Sequence, residues 1–140
     1  MKTKGLHNQL VEWRHQFHQN PELGFEEIFT SNKVIKILNE IGLEVHSELG
    51  KTGIVAVLKK GNSLKSLAIR ADMDALPIEE TNTFNYISKN TGCMHACGHD
   101  GHTSMLLGAA RYLKESGNFS GTIYFIFQTN EENTLGAQAM

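Results

Sequence analysis

The sequence has no excess of one charge. Thirteen Lys and Arg stand against fifteen Asp and Glu, for a formal charge of −2. No run of like charge exceeds a few residues, so there is no basic footprint for nucleic acid or an anionic lipid surface. No stretch approaches the ~20 apolar residues of a membrane span. The opening residues, Met1 to Gln9, are basic but contain no apolar core of a secretory signal, so a cytoplasmic location is expected. Internal repeats and low-complexity tracts are missing. Cysteine is scarce, two residues in 140, which excludes a disulfide scaffold. The remainder is ordinary: 40% hydrophobic and 20% charged, the profile of one globular domain able to bury a core without staples.

Leu6, Leu10, Trp13 and Phe17 recur at helical spacing and predict a helix over 5–19, stopped by Asn20-Pro21. A second helix is expected from Glu26 to Ile41, with Ile28, Val34, Ile35, Leu38 and Ile41 inward and Gly42 as a left-handed cap. Residues 43–49 alternate and 53–58 form an apolar run. Gly61-Asn62 then suggests a hairpin into a strand over 64–71, whose Leu67, Ala68 and Ile69 predict burial on both faces. Residues 78–97 read as an extended loop. Asp100 is a candidate cap for a helix over 101–116 with Leu106, Ala109, Ala110 and Leu113 inward. Residues 122–128 are apolar on both faces and predict a central strand. Met73, Met94 and Met105 read as packing. The pattern is that of an α/β sandwich, with polar residues gathered just after two strands, at Asp72/Asp74 and at Glu131/Glu132.

Three of the seven histidines, His95, His99 and His102, crowd around Cys97. In extended backbone His95, Cys97 and His99 project to one side, with Ala96 and Gly98 leaving room between them. Imidazole and thiolate are strong ligands for Zn²⁺ and similar ions, and spacing alone leaves open which of the three bind. A bare Glu131-Glu132 pair is ordinarily a solvated turn. After a buried strand, one carboxylate can face a metal while the other faces substrate, with a pKa suited to proton transfer. Asp72 and Asp74 read alone as a strand-end turn, or beside a metal as orienters of an imidazole. Cys93 reads as a small buried residue.

Four blocks carry a family resemblance. Arg14 to Glu27 (RHQFHQNPELGFEE), Arg70 to Pro77 (RADMDALP), Met94 to Thr103 (MHACGHDGHT) and Phe127-Gln128 with Glu131-Glu132 resemble, in order, signatures of the metal-dependent amidohydrolases that include hippurate hydrolase and N-acyl-amino-acid deacylases. The resemblance implies a zinc-peptidase-like three-layer sandwich with a mixed sheet. It also implies Cys97, His99 and Glu132 as metal ligands, Glu131 as catalytic base, and Asp74 as an orienting residue. His95 matches no ligand position. The implied cofactor is a divalent ion, Zn or Mn first, with Co or Ni as further options. The implied substrates are small N-acyl amino acids. Thr129-Asn130 stands where the family usually has Pro-Ala, Asn133-Thr134-Leu135 replaces a glycine-rich run, and Cys93 replaces an apolar residue. Family enzymes are longer. Residues 1–140 are therefore expected to be the N-terminal part of a catalytic domain, without the lid and dimerisation domain, the C-terminal half or two further ligand histidines. The alternatives are an inactive remnant, one half of a split enzyme, or a thiol redox module using Cys93 and Cys97. The expected polypeptide partner is a missing C-terminal half or, in the full-length form, a second copy in a homodimer.

Overall fold

A computed structural model describes residues 3–140. Helix α1 (Thr3–His18) ends where expected: Asn20 donates its side-chain amide back to the Gln16 carbonyl at 2.8 Å, and Pro21 cannot continue the turn. Helix α2 (Ile28–Ile41) starts on a borrowed cap. The carboxylate of Glu22 accepts from the backbone N–H of Phe29 (2.8 Å) and Thr30 (2.9 Å), two of the donors that a helix start leaves unpaired. Ile28 therefore lies at the helix entrance and is 59% exposed, not on the inward face. Gly42 closes α2 in the left-handed region, φ 79°, as its position predicted.

Strands β1 (Glu44–Leu49), β2 (Gly53–Lys60), β3 (Ser66–Asp72) and β4 (Gly121–Gln128) form one sheet in the order β1-β2-β4-β3. Antiparallel pairings join β1 to β2 and β2 to β4, whereas β3 and β4 are parallel, so the sheet is mixed. The hairpin expected at Gly61-Asn62 does not form: β4 inserts between β2 and β3. Apolar on both faces, β4 takes the interior position and displaces β3 to the edge of the described sheet. Burial of β3 is accordingly confined to its end. Leu67 is 58% exposed, and only Ala71 and Asp72 are buried.

Facing pairs Ile54–Phe127, Ala56–Phe125 and Leu58–Ile123 point to one side of the sheet. They meet Trp13 and Phe17 of α1, Val34 and Leu38 of α2, and Leu106, Leu107 and Ala110 of helix α3 (His99–Ser116) in one core. Tyr124 on the opposite face is 39% exposed. The described residues thus build two layers, helices packed on one face of a mixed sheet. Met105, at 62% exposure, is not a packing residue, whereas Met73 is fully buried.

Helix α3 begins at His99, two residues before its expected start. Gly98 holds the cap position at φ 91°, where a side chain would be strained, and Asp100 makes no cap bond. Asp100 instead lies in the first turn, facing His18 and Arg14. A final helix, α4 (Gly136–Ala139), is a single turn.

Candidate metal centre

Parallel β3 and β4 finish side by side, Asp72 opposite Gln128, and α3 begins across their ends. This is the crevice at the carboxyl ends of strands where α/β sheets take ligands. Three short segments meet there: Asp72 to Asp74 after β3, Cys97 to His102 at the start of α3, and Glu131-Glu132 after β4.

His99 is the pivot, with its side chain 3% exposed. Its Nδ1 lies 2.9 Å from the Asp74 carbonyl oxygen and 3.3 Å from Asp74 Oδ1. A carbonyl oxygen can only accept, so Nδ1 carries the proton and Nε2 presents its lone pair to the crevice. There Nε2 meets Asp72 Oδ1 at 3.5 Å, Glu132 Oε1 at 3.7 Å and Glu131 Oε2 at 3.9 Å. Asp74 is tied down from the other side as well, its Oδ2 accepting from the Glu132 N–H at 3.0 Å. One buried carboxylate thereby aligns the imidazole and anchors the turn that bears the acidic pair.

The electrostatics follow from this crowding. Burial works against a charged His99, but the Asp74 hydrogen bond and the fields of Asp72, Asp74 and Glu132 outweigh it and hold its pKa above the ordinary value. Burial also opposes ionised Asp74. Hydrogen bonds from His99 and from the backbone of Glu132 and Glu131 prevail, and its pKa is lowered. Cys97 is exposed, and its thiol is raised by donating to Glu132 and by the surrounding carboxylates.

Among the described residues two sets of donor atoms lie within 4.8 Å of one another: Cys97, His99 and Glu132, and Asp72, His99 and His102. The first joins sulfur, nitrogen and oxygen donors in the combination borderline-soft divalent ions accept. Within it, Glu132 Oε1 is buried with no hydrogen-bond partner. A buried carboxylate oxygen left unpaired is costly unless something positive meets it, so these residues fit a cation. Both sets draw on His99, whose one free ring nitrogen can serve one ion only.

The expectation that His95, Cys97 and His99 project together fails for His95. Backbone 95–98 is irregular, with a bend at Cys97, rather than a strand, and His95 lies inward, 4% exposed, with its ring centre 6.4 Å from that of His18. Burial depresses its pKa to about 4, and neither ring nitrogen has a hydrogen-bond partner. Cys93 is buried as expected, and burial and Glu22 raise its thiol. Cys93 is buried and Cys97 exposed, and both thiols are shifted up, opposite to the lowered pKa of a redox-active dithiol. The sequence reading passed over the contact of His102 Nδ1 with Asp72 Oδ1 at 2.7 Å. Its signal was present, since His102 stands three residues after His99 on the same helix face.

A mixed α/β sheet bearing a thiol, an imidazole and two carboxylates at its strand ends offers the donor set of a divalent-cation site. The chain belongs to the peptidase family M20/M25/M40, whose model matches residues 68–140. It is 54% identical over 135 residues to the hippurate hydrolase of Campylobacter jejuni, covering 96% of this chain and 35% of that protein. It is 47% identical over 124 residues to the N-acyl-L-amino acid amidohydrolase of Geobacillus stearothermophilus, covering 88% of this chain and 34% of that protein. Its fold matches the crystal structure of the Bacillus subtilis YXEP protein, described as a dinuclear metal binding peptidase from the same family. That match has a TM-score of 0.93 at 40% identity and covers 98% of this chain and 39% of that one. The chain thus spans about a third of the length of the curated relatives it matches.

Proposed function

We propose that this chain supplies the N-terminal part of the catalytic domain of a metal-dependent amidohydrolase that cleaves the amide bond of N-acyl amino acids. The observation that carries the reading is the convergence of Cys97, His99 and Glu132, with an unpartnered Glu132 oxygen beside Glu131. The relatives named for hippurate and N-acyl-amino-acid hydrolysis support the substrate class. Cys97, His99 and Glu132 would hold a divalent ion, Zn or Mn by preference. When bound, that ion supplies Lewis acidity to the scissile carbonyl and to the attacking water.

The rest is the work of the chain's own side chains. Asp74 keeps His99 in the tautomer that offers Nε2, and fixes its ring. Glu131, with its side chain 39% exposed at the crevice, can reach a substrate. It takes a proton from the attacking water and delivers it to the leaving amine nitrogen, releasing a carboxylic acid and a free amino acid. Two free thiols suit a reducing, cytoplasmic setting. Coverage of a third of the relatives supports a site completed by further polypeptide, in the same chain or from a separate one.

Glu131→Gln tests the role of the base. In the longer polypeptide with the ion restored, the variant should keep its metal and lose hydrolysis of hippurate by at least ~100-fold, the scale of general-base catalysis. Near-normal turnover would overturn the assignment.

A further inference from the structure

Glu27 is a fully buried carboxylate, and among the described residues no Lys or Arg is paired with it. Its partners are instead two hydroxyls and one backbone amide. Oε2 accepts from Thr52 Oγ1 at 2.5 Å and Thr129 Oγ1 at 2.8 Å, and Oε1 accepts from the Asn130 N–H at 2.8 Å. Thr52 and Thr129 also touch each other, hydroxyl to hydroxyl, at 2.7 Å. A buried carboxyl group held only by neutral partners is costly to desolvate, and such networks fix geometry tightly when their members are matched.

The network lies directly behind the acidic pair. Thr129 and Asn130 are the two residues between β4 and Glu131. Asn130 adopts a positive φ of 46°, a conformation that needs outside support in a residue with a side chain. Its side-chain oxygen accepts from Asn133 Nδ2 at 2.7 Å, and its carbonyl accepts from the Gly136 N–H at 3.1 Å, closing the turn. On the other side a Cβ at Gly24 would fall 1.8 Å from Asn130 Oδ1, so the loop before α2 is pressed against this turn. The Glu131-Glu132 segment is therefore pinned at both ends, by Glu27 before Glu131 and by Asp74 at the Glu132 N–H.

We propose that Glu27 is a positioning residue: through Thr129 and Asn130 it sets the turn that holds Glu132 against Cys97 and His99 and Glu131 beside them. The proposal rests on the reading of Glu132 as a metal ligand.

Titration of the 140-residue chain with Co²⁺, alongside a thermal melt, tests it. Glu132→Ala should weaken Co²⁺ binding, which tests the underlying reading. Glu27→Ala should weaken it by ~10-fold or more, the usual effect of removing a residue that supports a ligand. Glu27→Gln should recover most of the loss, because its amide oxygen still accepts from Asn130 and its NH₂ still reaches a hydroxyl. Thr129→Val, which keeps the shape and removes one hydroxyl, should fall between, and it carries the test if Glu27→Ala does not fold. Wild-type affinity in folded Glu27→Ala or Thr129→Val, with only the melting temperature lowered, would overturn the proposal while Glu132→Ala still shows its loss. Equal losses in Glu27→Gln and Glu27→Ala would contradict it as well. Wild-type affinity in Glu132→Ala would overturn the reading of the site itself.

Discussion

The identity of each ligand candidate is a matter of one or two hydrogen bonds. His99 and His95 are four residues apart, yet Asp74 holds one with a free nitrogen in the crevice while the other is enclosed without partners. Short-range spacing could not separate them, because the separation comes from the bent, irregular backbone at 95–98 and from Asp74, 25 residues earlier in the chain. The resemblance to the family matches His99, and not His95, to a ligand position. Enclosure gives His95 a pH signature. Its folded pKa, about 4, is below the ordinary value of 6.5, so the unfolded chain binds the extra proton first as pH falls. Stability is therefore lost from about pH 6.5 downward until the folded form also protonates near 4. By ~1.4 kcal/mol per unit, that loss is on the order of 3 kcal/mol. Urea unfolding of wild type and His95→Leu at pH 7 and pH 4.5 reads it: the variant should lose less stability between the two. Parallel losses would show that His95 does not titrate as its burial requires.

Among the elements, the three long helices and the central strand were legible because their apolar periodicity is strong. Phe125 illustrates why β4 is central, being fully buried between Ala56 of β2 and Ile69 of β3. Phe125→Ala should destabilise by about 3–5 kcal/mol through lost burial and the cavity left behind. A change under about 1 kcal/mol in denaturant unfolding would mean that the strand is not a core element. The hairpin expected at Gly61-Asn62 failed for a physical reason. A turn signal fixes where a chain reverses but not which strand arrives to pair, and β4, some sixty residues later, outcompetes β3 for the partner edge of β2. Asp100 misled in the same way. A carboxylate at a helix start is a natural cap, but here His18 and Arg14 claim it from α1.

At the scale of the whole molecule, α1, the loops and the sheet converge on one corner. Asp72 and Asp74, Cys97 and His99, and Glu131 and Glu132 come from segments that only the β3–β4 pairing brings together. Residue type and motif singled them out as candidates, and their convergence was not readable, because it depends on parallel pairing of strands far apart in sequence. The departure at Thr129-Asn130 has a structural place: both residues bond to Glu27 and so remain compatible with a fixed turn.

The measurement closest to the central claim is the absorption spectrum of the 140-residue chain titrated with Co²⁺. A thiolate-to-cobalt band should appear and strengthen with rising pH, because the Cys97 thiol, whose pKa is raised, must release its proton to bind. Cys97→Ser should abolish the band, Cys93→Ser should leave it, and His99→Ala should cost more affinity than His95→Ala. A band that survives Cys97→Ser, or equal losses from the two histidine variants, would contradict the assignment of Cys97, His99 and Glu132 as the metal centre.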